Sequence, residues 1–583
     1  MHDTVIRNAK IVDGTGEPGK KGDVAIDDGL ISEVGVVDQN GYLEIDGTDL
    51  VLAPGWVDVH THYDGQATWD PYLSPSCWHG VTTAVMGNCG VGFAPADPSK
   101  HDWLIGLMEG VEDIPGTALA EGIDWQWETF PEYLDALEKT PRAIDIAAQV
   151  PHGAVRAYCM GEKGAKNEEP TAAEMTRMAD VVREGIAAGA VGFTTSRTIL
   201  HRSIDGEVVP GTDADANELT AIAHAMKEAG HGVFEVASDL IPEAVELEWM
   251  DKIIRETHNK ITYACVQNDL DPKQWERLLD HAHKTPGIFP QVAIRPPGCL
   301  MCLEGTHPFT GRPSYIALQN LPLQERVLAL SNPETKRKIL DEAGNRPNKL
   351  LTLLFMEGKA IKSPIQDYNR IYWLGDPPDY EPSPERSVAA IAEKKGLTSE
   401  EAAYDLLLQD EGKGILFSPL FNYSAGNYDD ALTMMKHPNT ILGISDGGAH
   451  CGIICDAGAP SYLLQHFVRD RARGPKLSLE EAVKMQTRDT AELYGFLDRG
   501  LIKCGYRADL NLIDLNKLSI SKPEMVYDLP ANGPRLIQRA QGYRVTMVKG
   551  EITFKDGVST GALPGKLIRG RQPQPAEKPK GKC

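Results

Sequence analysis

Between residues 54 and 496, short apolar runs alternate with longer segments whose apolar positions recur at helical spacing. This alternation restricts the fold more than any other feature of the chain. A strand buried on both faces reads as a continuous apolar run, and a helix packed on a sheet reads as a stripe of period 3.6. Runs of the first kind are Thr82–Met86, Ala143–Val150, Ala190–Thr195, Val233–Ala237, Ile261–Val266, Ile288–Ile294 and Thr440–Ser445; Trp56, Val57 and Val59 begin another after Pro54-Gly55. Segments of the second kind are Glu174–Gly189, Ala216–Gly230 and Leu479–Tyr494, with Gly189 and Gly230 as stops. Strand–helix repeats predict a parallel sheet with right-handed crossovers, and about eight such strands predict a closed (β/α)8 TIM barrel.

The flanks read differently. Residues 1–53 hold short strands (Val5-Ile6, Ile11-Val12, Val24–Ile26, Leu30-Ile31) separated by turns such as Asp13-Gly14 and Asp27-Asp28-Gly29. The same style returns at Ala508–Asp514 and in the hairpin Val545–Gly557. Isolated hairpins are marginally stable, so residues 1–53 and 497–565 are expected to complete one small β-sandwich domain beside a barrel at 54–496. Residues from about 299 to 414, including the proline-rich stretch 376–384, break the barrel rhythm and are expected to form an insertion over the barrel mouth. Residues 566–583, rich in Pro, Lys and Arg, are expected to be an extended, partly disordered tail.

A chain of 583 residues exceeds what one hydrophobic core supports, so a large domain with a smaller one is the expectation. A net charge of −24 argues against nucleic acid and anionic membranes as partners, because the surface repels phosphate. No basic segment followed by a long apolar one opens the chain, and ten cysteines fall at irregular spacing, with Cys299-Leu300-Met301-Cys302 the only C-x-x-C. A soluble cytoplasmic protein with mostly free thiols is expected, with a homo-oligomer left open.

Chemistry concentrates at the ends of the apolar runs. Val57-Asp58-Val59-His60-Thr61-His62 places imidazoles two residues apart, on one side of a pleat, where both can reach one metal ion. Ile441-Leu442-Gly443-Ile444-Ser445-Asp446 ends in an acid before a Gly pair, either a catalytic group at a strand's carboxyl end or a turn cap. Cys89, between Asn88 and Gly90 after another strand, is either a thiolate ligand or an inert buried thiol.

Taken together, His60-x-His62, Gly87-Asn88-Cys89-Gly90, Trp125-Gln126-Trp127-Glu128-Thr129-Phe130, Pro151-His152-Gly153-Ala154-Val155-Arg156, Ser445-Asp446-Gly447 and Gly505–Leu510 resemble the D-aminoacylase (N-acyl-D-amino-acid deacylase) branch of the amidohydrolase superfamily, over residues from about 3 to 560. The resemblance implies a metal-dependent barrel with a small domain built from both chain ends. It further implies His60 and His62 as ligands from the first strand, Asp446 from the eighth as general base and ligand, and Cys89 in place of the carboxylated lysine used elsewhere. The substrate implied is a small N-acyl or other amide compound, N-acyl-D-amino acids first.

The departures matter as much. Histidines expected at the ends of the fifth and sixth strands are absent from Phe234–Asp239 and Tyr263–Asn268. One ion shifted toward His60, His62 and Asp446 is therefore expected, zinc first, with manganese or iron also suited to mixed N and O donors. Glu235 or His450 could complete its shell or support it from behind. Arg197, His201, Arg202 and Arg295, near strand ends, are candidates for holding a substrate carboxylate. Hydrolysis of another linear or cyclic amide, and a non-catalytic scaffold that has lost its metal, are the competing readings.

Overall fold

The computed structural model describes residues 1–342 and 366–576. Residues 343–365 of the expected insertion and 577–583 of the expected tail lie outside the described residues.

Eight parallel strands form a closed ring: β1 (Trp56–Asp58), β2 (Val81–Met86), β3 (Asp145–Ala148, resuming after Gln149 as Val150–Pro151), β4 (Gly192–Arg197), β5 (Val233–Ser238), β6 (Lys260–Tyr263), β7 (Gln291–Ala293) and β8 (Ile441–Gly443). Sequential neighbours pair from β1 to β6 and again from β7 to β8. Parallel bridges Ala264–Gln291 and Thr61–Gly447 join β6 to β7 and β8 to β1, closing the barrel. The TIM barrel with its β-sandwich companion is therefore the fold.

Among the helices around it are α1 (His101–Glu112), α2 (His152–Met160), α3 (Ala172–Ala188) and α4 (Ala216–Ala229). Local chemistry explains their ends. Thr171 and Glu174 form a reciprocal capping box on α3, Asp215 caps α4, and Gly189 and Gly230 follow their last turns with positive φ. The expected single helix from Leu479 to Tyr494 is instead two, Leu479–Met485 and Arg488–Tyr494. Thr487 (φ −127°, ψ −83°) leaves helical geometry at the join, and the Gln486 carbonyl accepts from Val57 N–H of β1. A tertiary hydrogen bond breaks a pattern that local spacing favours.

Both chain ends enter one nine-stranded sheet. Its seam is Val51–Pro54 against Leu510–Ile513, antiparallel, with Leu52 opposite Leu512. Ile6, Ile26, Leu52, Leu510, Leu512 and Met547 pack as its core. Val51–Pro54 runs into β1 through Gly55, where an added Cβ would lie 2.2 Å from Thr82 Oγ1, so a side chain there would push the sheet from the barrel.

The segment after β7 builds its own unit, with Gly298–Met301 and Tyr372–Trp373 flanking Leu416–Pro419 in an antiparallel sheet. A separate core includes Met301, Phe309, Tyr404 and Leu416. Leu300 N–H donates to Ile453 O at 2.7 Å, tying this unit to the loop after β8. The start of the tail is extended but not loose. Leu567 bridges Ile146 of β3, Ile568 is buried, and Gly570 N–H reaches Gly189 O at 2.8 Å. Among the described residues no helix is long and apolar enough to cross a membrane, and eight cysteines are buried and free.

Candidate metal centre

The strand hydrogen bonding of β1 ends at Asp58, and the two histidines lie just past it. Thr61 between them donates its N–H to Val85 O at 3.0 Å and bridges Gly447, so the backbone is held on both sides. The His60 and His62 rings meet edge to face with centroids 5.4 Å apart. Cys89 follows β2 in the left-handed region (φ 57°), flanked by Gly87 and Gly90, also at positive φ. Its Sγ is 3.4 Å from His60 Nε2. Donor atoms of His60, His62 and Cys89 lie within 4.8 Å of one another, all three residues being buried.

Gly90 is required by this turn. A Cβ there would stand 2.6 Å from Ser196 N of β4, at φ +72°. Gly90→Ala is expected to cost about 1–3 kcal/mol and to displace Cys89, seen as a lower urea midpoint together with reduced metal content.

Asp446 reaches the same point from β8. The expected strand through Ser445 stops at Gly443, because Ile444 (φ 56°) and Asp446 (φ 48°) turn the backbone left-handed. Asp446 Oδ1 ends 3.5 Å from His60 Nε2 and 3.7 Å from His62 Nε2. Burial opposes its charge, but the His62 contact and the rings of His60 and His450 outweigh it and hold the carboxyl well below its usual range. Ser445 Oγ donates to Asp58 at 2.6 Å, and Asp58 accepts His60 N–H at 3.3 Å, bracing β1 against β8.

Glu235 lies within the fifth strand, whose end lacks the expected histidine. It is fully buried; Oε2 accepts Cys89 N–H at 3.0 Å, while Oε1 has no hydrogen-bond partner. Burial pushes its carboxyl up to about 7, with the His60 ring pulling the other way. Burial also lowers His62 to about 4 and His201 to about 3, with His450 and His62 lowering His201 further, which places His201 in the same electrostatic neighbourhood. His450 sits beyond Asp446, its Nε2 3.7 Å from Glu112 Oε2.

The four proposed anchors separate. Arg295 is buried, with Nε 2.8 Å from Asp456 Oδ1, Nη1 3.0 Å from Gln538 Oε1, its guanidinium 4.2 Å from the Tyr380 ring centroid, and its Nη2 without a hydrogen-bond partner. Arg197 forks onto Glu246 at 2.8 and 2.9 Å. Each of these two arginines already faces a carboxylate within the protein. Arg202 instead donates to the carbonyls of Ile199 and Gly206, each at 3.0 Å, and His201 Nδ1 lies 3.1 Å from Ser196 Oγ.

Glu112 and Gln291 were not anticipated. Leu104, Met108 and Glu112 follow one another at four-residue spacing, so a carboxylate continues a buried apolar stripe of α1. That position was the available signal.

The donor set suits a metal ion. Imidazole, thiol and carboxylate converge at ligand spacing, and a carboxylate oxygen of Glu235 is buried beside them with no partner.

Comparison with known proteins identifies the family. The profile of the amidohydrolase family matches residues 43–306 and 385–554. N-acyl-D-aspartate deacylase of Alcaligenes xylosoxydans xylosoxydans is 25% identical over 97% of this chain and 95% of its own length. D-aminoacylase of the same organism is 26% identical over 97% of each. A D-aminoacylase crystal structure superposes with a TM-score of 0.63 at 22% identity, covering 98% of this chain and all of that one. N-acyl-D-glutamate deacylase from Bordetella bronchiseptica, solved with zinc and a phosphonate inhibitor, gives 0.61 at 22%, covering 97% and 99%. A closed barrel whose first, second and eighth strands converge on metal donors, under a profile spanning most of the chain, makes this protein a member of the amidohydrolase family, a metal-dependent hydrolase of carbon–nitrogen bonds other than peptide bonds.

Proposed function

We propose that the chain hydrolyses the amide of an N-acyl-D-amino acid, with one zinc ion held by His60, His62, Cys89 and Asp446. The observation that carries this reading is Asp446 Oδ1 beside both imidazole Nε2 atoms, in a chain whose relatives over nearly its full length include N-acyl-D-amino-acid deacylases. Mixed imidazole, thiolate and carboxylate donors favour zinc over manganese or iron. Bound there, zinc supplies Lewis-acid polarisation of the amide carbonyl and a lowered pKa for water. Glu235 Oε1 is the candidate for a further donor.

Asp446 takes the proton of the attacking water and returns it to the departing amine nitrogen. The His62 contact and the rings of His60 and His450 keep it ionised, the form that can take up a proton. His201 and Arg202 share one loop after β4, and among the described residues Arg202 meets carbonyl oxygens rather than a carboxylate; these two are the proposed grip on the substrate carboxylate. His450 is proposed to contact substrate from the loop after Asp446.

Treatment with a strong chelator is expected to abolish turnover of N-acyl-D-amino acids, and added zinc to restore it at one equivalent per chain. Assay of D and L substrates beside cyclic ureas and imides tests the class. Turnover of cyclic compounds alone would sink the deacylase reading, and a chain that neither holds nor responds to metal would sink the catalytic one.

A further inference from the structure

We infer that Glu112 is a positioning residue that fixes His62 with Nδ1 as hydrogen-bond donor and Nε2 free for the metal; this rests on the metal-centre reading above. His62 Nδ1 and Glu112 Oε1 are 3.3 Å apart, both buried, and neither makes a hydrogen bond to any other group or, in this geometry, to the other. A buried ring nitrogen and a buried carboxylate oxygen that face each other without alternatives lose several kcal/mol of hydration unless they pair. An acceptor at Nδ1 selects the tautomer whose lone pair is on Nε2, the nitrogen that faces Asp446.

His60 shows the same device with a neutral acceptor. Its Nδ1 lies 2.9 Å from Gln291 Oε1 on β7, and its Nε2 points to Cys89 and Asp446. The two rings of the pair therefore present the same nitrogen to one point, each held from behind by a different element of the barrel.

The placement of Glu112 is itself constrained. It is the last residue of α1, and Asp113 after it is left-handed (φ 51°). The Glu112 carbonyl accepts from His450 N–H, the Asp113 carbonyl from Cys451 N–H at 3.2 Å, and Asp113 Oδ2 from Gly452 N–H at 2.9 Å. On its other side α1 meets the loop after β4, where Ile204 N–H donates to Gly106 O at 3.0 Å. The helix end thus holds the chain just beyond Asp446 while its carboxylate holds His62, so one element registers the first-strand ligand with the eighth-strand acid.

The test compares Glu112→Gln, which keeps an acceptor oxygen, with Glu112→Met, which does not. Zinc affinity is read by chelator competition, and folding by thermal unfolding of the metal-free proteins. Glu112→Met is expected to bind zinc about 10- to 100-fold more weakly, and Glu112→Gln to recover most of that loss. Equal affinity of the Met variant and the parent, or an equal loss in both variants, overturns the inference. A second measurement needs no variant. In the cobalt-loaded parent, His60 and His62 should give two hyperfine-shifted ring N–H signals that vanish in D2O, and a single signal overturns the inference even if the Met variant does not fold. A parent that binds neither zinc nor cobalt sinks the metal-centre reading instead, so the two failures are distinct.

Discussion

Asp446→Asn is expected to lower kcat by about 10²- to 10⁴-fold, the usual contribution of a positioned general base, with the fold unchanged. Asparagine matches the shape of the side chain but cannot take up the proton. It also tolerates the left-handed backbone at this position (φ 48°) better than most residues, so the turn after β8 should survive. Because Asp446 also faces both imidazoles, some loss of metal affinity is expected, and kcat must be measured at saturating zinc. Parent-level kcat in a zinc-saturated Asn variant would remove Asp446 from proton transfer. An unfolding midpoint far below the parent's would instead assign it to holding the turn.

The barrel was readable because strand and helix periodicities are local, and every strand of the ring falls on an apolar run. The ligand pair was readable for the same reason: His60 and His62 sit at a fixed offset from a buried strand. Features set by distant partners were not. The break at Gln486 and Thr487 depends on a hydrogen bond to Val57 of β1, distant in sequence. That Arg295 pairs with Asp456 could not be read at its strand end, because Asp456 lies 161 residues away. Glu112 carries no motif; only the approach of α1 to the loop after β8 gives its carboxylate a histidine to face. The missing histidines on the fifth and sixth strands were legible as absences, but that Glu235 buries an unpartnered oxygen beside Cys89 required the fold.

Glu218→Gln is expected to destabilise the protein by about 3–5 kcal/mol, as for other broken buried ion pairs. Glu218 lies in the first turn of α4, nearly inaccessible to solvent, and Arg156 of α2 donates to its two oxygens at 2.5 and 2.6 Å. His152 Nε2 adds a 2.9 Å contact, while His152 Nδ1 is 2.8 Å from Thr195 Oγ1 of β4. The Pro151–Arg156 motif is thus read as a brace joining α2, β4 and α4, behind the strands that carry the site. Burial opposes the Glu218 charge, but His152 and Arg156 outweigh it and hold the carboxyl at about 2. The sign follows: a group with its folded pKa below its unfolded value stabilises fully above the unfolded pKa and loses that contribution as pH falls through the folded one. A drop from the ordinary 4.5 to about 2 corresponds to about 3 kcal/mol. The parent should therefore lose stability from about pH 5 downward, and its advantage over the Gln variant should shrink over the same interval. Urea midpoints for both proteins between neutral pH and pH 3 measure this. A gap that stays constant across that range would show that Glu218 acts through packing rather than charge, and Arg156→Met in the Gln background should then recover none of the loss.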